Sequence, residues 1–381
     1  MEETGYISHQ CRKDRTEGKR MKRQHYVDNL RWILIALLLP VQAALALNCW
    51  GEDFYIILDG ESKGISSFYT MISPWIMSVL FLLAGMTMRY SLEKRTATEF
   101  AVNRLKRLGI PLVIGIFSIV AVLSYFTDVY NFGYVPGFAR HYRVFLMEAT
   151  DLTGFDGHFT LGHLWFLFFL LVSGLVALLV VMLQKRILPK LRVNNPGLIV
   201  LLLVGILPAL GSYVGNIAGK SLVQYLLILL LGYYVFANEA VLEKLQNNRF
   251  LLTGIAVIGL AAYTFLFVWM ERTGVIVEIP KWIGAWSAVL AVIAMARQYL
   301  NKSTIVTQHL YKISYAFYWL YLVFVVWVEA IMQQFIDAPV VLFLISVIVS
   351  FIVTYVVTEI VTLIPFIRQI FGVKKNHKEH A

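Results

Sequence analysis

Long uncharged apolar blocks, parted by short polar stretches, run along the whole chain. Ten of them reach or approach the roughly 18 residues that a membrane-crossing helix needs. They fall near Leu30–Leu47, Phe68–Met88, Leu108–Phe126, His163–Leu183, Gly197–Val214, Ser221–Ala237, Phe250–Met270, Trp282–Ala296, Ile313–Met332 and Val340–Ile364, the block from Trp282 being the shortest. The pattern predicts an all-α, polytopic membrane protein of about ten transmembrane helices. Composition agrees. The chain is 59% hydrophobic with a mean hydropathy of +0.70, against roughly 45–50% apolar residues in soluble domains.

Charge gives the blocks a direction. A net charge of +10 would suit nucleic acid if it formed one patch, but the basic residues sit in clusters between apolar blocks, so no nucleic-acid partner is expected. With the N-terminus inside, 27 of the 33 Lys and Arg residues fall in inner segments and six outside (Lys63, Arg140, Arg143, Lys220, Arg272, Lys281), as the positive-inside rule requires. Both termini are then expected in the cytoplasm. Residues 1–25 read as a disordered tail, 26–372 as one transmembrane domain and 373–381 as a second tail. The longest loop, about Thr127–Gly162, is expected outside. Cys11 and Cys49 flank the first block, which excludes an intrachain disulfide and a Cys-based metal site. The scattered histidines show no metal-ligand spacing, so no metal is expected.

Polar residues within spans are costly and mark candidate sites. Asp28 and Arg31 lie three apart at the mouth of the first span, and Gln42 follows Arg31 by eleven residues. Eleven steps of about 100° return to nearly the same helix face, about 16 Å deeper. One face thus carries a guanidinium near the surface and an amide near mid-membrane, with Pro40 nearby to free a carbonyl. A snorkelling Arg and a helix-bridging Gln would fit the same pattern.

Tyr26-Val-Asp28-Asn-Leu-Arg31, Leu83-Ala-Gly85, Ser91-Leu-Glu-Lys-Arg95, Arg104-Leu-Lys-Arg107-Leu-Gly-Ile-Pro111, Gly162-His163-Leu-Trp165-Phe-Leu167, Leu231-Gly232-Tyr-Tyr, Ser314-Tyr-Ala-Phe-Tyr318 and Glu359-Ile-Val-Thr-Leu-Ile-Pro365 follow one another along the chain. In that order they resemble the membrane acyltransferase-3 family, which includes O-antigen and peptidoglycan acetylases and the glucans biosynthesis protein C group. The resemblance implies a multi-pass protein of the cell (inner) membrane. It implies transfer of an acetyl- or succinyl-class group from cytoplasmic acyl-CoA, a donor substrate and not a cofactor, to a hydroxyl of an extracytoplasmic sugar or glycan of the cell envelope. Asp28, Arg31, Arg104, Arg107, Trp165 and Tyr318 would then bind substrate, the arginines because a planar guanidinium matches phosphate; membrane anchoring is the alternative for all three.

The resemblance also implies a His eleven residues beyond the first-span Arg, and another three residues after the ninth-span Tyr. Gln42 and Tyr321 stand there. An amide cannot serve as a general base. His163 becomes the first candidate for that role, with a purely structural His the competing reading, and Tyr321 the second. Tyr311, Ser314, Tyr315, Tyr318 and Tyr321 form a polar stripe that either lines a cavity or packs between helices. Glu148, Asp151, Asp156 and His158 in the outer loop are candidates for sugar contact; Glu329 and Glu359 need no special role. Two functions stay open: the acyltransferase, and a catalytically inactive relative that binds or translocates a lipid, acyl-CoA or glycan.

Overall fold

The computed structural model describes residues 25–133, 137–150, 152–155, 158–188, 195–365, 368 and 371. Both expected tails, apart from residue 25, and the loop residues Asp151 and Asp156 lie outside the described residues. The fold is a bundle of helices: α1 (His25–Leu45), α2 (Lys63–Leu92), α3 (Ala97–Phe132), α4 (Phe138–Met147), α5 (Gly162–Ile187), α6 (Leu198–Gly211), α7 (Leu222–Phe236), α8 (Glu239–Asn247), α9 (Arg249–Trp269), α10 (Val275–Tyr299), α11 (Ile305–Met332) and α12 (Pro339–Leu363). Among the described residues the strands are a two-residue hairpin, Asn216–Ile217 with Lys220–Ser221.

Eight of the ten apolar blocks are helices long and apolar enough to cross a membrane. The other two are shorter. α6 is interrupted near Val204, and α7 is followed by α8 after a bend of 97°. The block at Trp282, shortest by composition, belongs to the 25-residue α10. Its helix begins among Glu278, Pro280 and Lys281, whose polarity hides the first turns from a hydropathy window. The Thr127–Gly162 loop itself contains helix. α3 runs on to Phe132, where Gly133 adopts the left-handed conformation (φ 66°), and α4 follows within the loop.

Helix starts are written locally. Thr96 and Glu99 form a reciprocal capping box ahead of α3, and Thr304 caps α11. The core forms where α1 is enclosed by α2, α10, α11 and α12. The Asn29 amide ties its first turn to the carbonyls of Leu300 (2.6 Å) and Lys302 (2.7 Å) at the end of α10. α12 presents mostly lipid-facing side chains, and a stripe of small residues (Ser346, Ser350, Thr354, Thr358, Thr362) is its buried face.

Gly85 and Gly232, one in each of two sequence motifs, mark the closest helix crossing. A Cβ at Gly85 would lie 2.0 Å from the Leu229 carbonyl oxygen, and one at Gly232 would lie 2.3 Å from that of Leu82. Without a hydrophobic driving force between helices in lipid, such close backbone packing holds α2 to α7.

Candidate functional site

At the end of the bundle where α1 begins, Arg31 donates to Thr87 Oγ1 on α2 at 3.0 Å. Arg104, half-buried on α3, lies over Gly174 of α5 and above the Phe100 ring (5.0 Å). The two guanidinium groups are near enough to repel one another. No ion pair to Asp or Glu is formed by either among the described residues. Two neighbouring arginines with hydroxyl and aromatic neighbours form a cationic pair suited to a multiply charged anion.

Arg107 does not join them. Residues Leu105–Gly109 form a π-turn, and Arg107 is exposed. The wider turn advances each residue by less than 100°, so the three-residue spacing that would align Arg104 and Arg107 on an ideal α-helix is lost. The same segment is tied to α11, because the Tyr315 hydroxyl donates to the Arg107 carbonyl at 3.1 Å. Asp28 lies in the first turn of α1, where a carboxylate suits the helix dipole.

Some three turns along α1, Gln42 is partly accessible, and its amide lies against the Tyr321 hydroxyl without a hydrogen bond of normal geometry. Tyr321 is fully buried, and its ring stands edge-on to His163 with centroids 5.4 Å apart. His163 Nε2 lies 3.0 Å from the Trp319 carbonyl. A carbonyl only accepts, so Nε2 carries the proton and Nδ1 keeps the lone pair. That nitrogen is buried with no hydrogen-bond partner among the described residues. The Tyr318 hydroxyl donates to the His163 carbonyl and fixes the backbone. Gln42, His163, Tyr318 and Tyr321 thus form one cluster on α1, α5 and α11.

His163 is the second residue of α5, yet it lies deep in the bundle. Gly162 abuts Val120, and Leu164 abuts Gly115, so the start of α5 sits level with the middle of the apolar stretch of α3. The chain before Gly162 dips inward to reach that depth. Gly162 itself has φ 54°, and a Cβ there would meet both Val120 methyls at 3.1 Å, which accounts for glycine before the histidine.

Trp165 is separate from the cluster. It packs on Tyr225 (5.4 Å) while the Lys220 ammonium of the hairpin sits 5.2 Å from its ring centroid. Burial pushes the Lys220 ammonium below its ordinary value, opposed by the charge of Glu52. Of the outer-loop candidates, Glu148 is exposed and pairs with His158 Nε2 at 3.2 Å. Most of the stripe on α11 is committed to packing, since Ser314 bonds Tyr311, Tyr315 bonds Arg107 and Tyr318 bonds His163, while the Tyr321 hydroxyl has no partner among the described residues.

Sequence reasoning missed Thr87 and Tyr55, and gave Glu329 no special role. Thr87 sits two residues after the Gly85 motif, a position only the α1–α2 contact makes meaningful. Tyr55 comes from the loop after α1, donates to the Thr153 carbonyl (3.3 Å) and approaches Gly162; burial pushes its hydroxyl pKa up. Glu329 is fully buried, and neither carboxyl oxygen has a partner among the described residues. Glu359, by contrast, pairs with His309 at 2.5 Å.

These features define a polytopic helical membrane protein with a cationic pair at one end of α1 and a buried Gln–Tyr–His cluster farther along it. A family model for the acyltransferase domain Acyl_transf_3 matches residues 24–359, and the chain belongs to that acyltransferase-3 family of membrane acyltransferases. Neither the curated proteins nor the solved structures yield a match to this chain.

Proposed function

We propose that the protein transfers an acyl group of the acetyl or succinyl class from cytoplasmic acyl-CoA to a hydroxyl of an extracytoplasmic sugar or glycan, in the cell (inner) membrane. The observation that carries this reading is that Arg31 and Arg104, with no carboxylate partner among the described residues, stand toward one end of the helix whose Gln42 lies farther along beside Tyr321 and His163, the His163 Nδ1 being buried with no partner among the described residues. In it, Arg31 and Arg104 hold the CoA phosphates, and the thioester reaches about 16 Å along α1 to Gln42. Gln42 and Tyr321 hold the carbonyl by hydrogen bonds. His163 Nδ1 takes the proton of the acceptor hydroxyl as its oxygen attacks the carbonyl carbon, and the CoA sulfur leaves with the bonding pair. The Trp319 carbonyl holds the imidazole in the tautomer this step needs, as the orienting carboxylate does in a Ser-His-Asp triad.

A second reading, a catalytically inactive relative that binds or translocates a lipid, acyl-CoA or glycan, is favoured by one observation: the residue eleven positions beyond Arg31 is an amide. Purified protein incubated with radiolabelled acetyl-CoA decides between them. Release or transfer of label that is lost in His163→Ala supports the transferase. Binding without turnover in wild-type protein supports the inactive relative.

A further inference from the structure

Away from this cluster, α3 and α4 bring three residues together in the order of a nucleophile relay. Ser124 Oγ lies 3.1 Å from His141 Nε2, and His141 Nδ1 lies 3.2 Å from Asp128 Oδ2. Ser124 and Asp128 are four apart on α3, hence on one helix face, while His141 arrives from α4. Ser124 and His141 are fully buried, and the Asp128 side chain is 18% exposed. A carboxylate only accepts, so Nδ1 carries the proton, and Nε2 is left to receive the serine hydroxyl. The His158 carbonyl, 3.3 Å from the hydroxyl, is a second acceptor for the same proton.

The state of the imidazole suits this role. Burial holds His141 below its ordinary value, with Asp128 partly opposing, so the ring is neutral near pH 7. The same α3–α4 seam opens on its other side into an apolar groove of about 650 Å³, lined by Phe117, Ser118, Ile119, Val122, Phe138, Ala139 and Tyr142.

We propose that Ser124, His141 and Asp128 form a second catalytic site, of serine-esterase type, whose substrate is a carboxylic ester. Ser124 Oγ attacks the ester carbonyl carbon and gives its proton to His141 Nε2. The bond from that carbon to the alcohol oxygen breaks, and the alcohol leaves with the proton from His141. Water then attacks the acyl-serine and loses a proton to His141; the carbon–Oγ bond breaks, the acid departs and Ser124 regains its proton. Asp128 is a positioning residue that fixes the imidazole tautomer. This site is independent of the acyl-CoA reading, since it shares no residue with the cluster around His163.

The test is a serine-directed fluorophosphonate carrying an alkyl chain, applied to the purified full-length protein in detergent, with the adduct mapped by mass spectrometry. An adduct on Ser124 is expected, lost in Ser124→Ala and slowed about 10³-fold or more in Asp128→Asn. Ser303→Ala, which removes an exposed hydroxyl that accepts from the Gln308 amide, should label like wild type. The wild-type mapping decides even where a variant fails to fold. No adduct on Ser124 in folded protein, or an adduct whose rate is unchanged in folded Asp128→Asn, overturns the proposal.

Discussion

His163 and Trp319 are joined by one hydrogen bond, ring Nε2 to main-chain carbonyl at 3.0 Å, and that bond decides which histidine nitrogen is available for chemistry. Nδ1 faces the buried cluster with its lone pair. His163→Ala is therefore expected to lower acyl transfer by about 10²–10⁴-fold, the usual worth of a general base, with acyl-CoA affinity little changed. Loss of affinity with the turnover number intact would assign His163 to binding instead.

Gln42 beside Tyr321 gives the complementary experiment. Gln42→Ala should leave activity within about tenfold, because it removes hydrogen bonds and no base. Gln42→His adds a titratable nitrogen at the same depth and should raise transfer by about 10²-fold, the gain developing as pH rises through the new imidazole's pKa. A Gln42→His protein that is no faster at any pH would remove position 42 from the reaction.

The arginines separate by location. Arg31→Ala and Arg104→Ala should each weaken acyl-CoA binding by about 1.5–3 kcal/mol, the range for charge-assisted hydrogen bonds, and Arg31→Lys should fall between. Arg107→Ala, at an exposed position, should bind within about twofold of wild type. Equal losses at all three positions, measured by calorimetry, would mean that general surface charge and not the Arg31–Arg104 pair holds the nucleotide.

The α2–α7 crossing predicts stability. Gly85→Ala puts a methyl 2.0 Å from a backbone oxygen that cannot rotate away, so destabilisation at or above the ~1–3 kcal/mol typical of overpacking is expected. Gly254→Ala on α9 meets nothing within 4 Å and should be neutral or gain up to about 1 kcal/mol from helix propensity. Melting temperatures in one detergent compare them.

His141 supplies the pH test. Around it among the described residues are Asp128, and His158 with its partner Glu148. Because its folded pKa is lowered, the native state favours the neutral ring. Phosphonate labelling of Ser124 should fall on acidification with a midpoint below about 6.5. The stability held by the neutral ring is present above that value and is lost as pH drops from about 6.5 toward the folded pKa. A labelling rate flat from pH 5 to 8 would detach His141 from the serine.

Ten apolar blocks, the order of the motifs and the family were legible in the sequence, because hydropathy over some 18 residues reports whether a segment suits lipid, and motif order survives without knowledge of neighbours. The Arg31–Gln42 face was legible too, since α1 is an uninterrupted helix and its period is a local property. Beyond one helix the signal stops. The π-turn at Leu105–Gly109 turned Arg107 away from Arg31 and Arg104, and the inward dip before Gly162 carried His163 from the edge to mid-bundle. Packing sealed Glu329, near the end of α11, away from any partner among the described residues. Ser124 and Asp128 are ordinary polar residues at a span's end until α4 folds back to set His141 against both. Each of these outcomes depends on which side chains from distant segments share a face, and a hydropathy average contains no term for lateral contact.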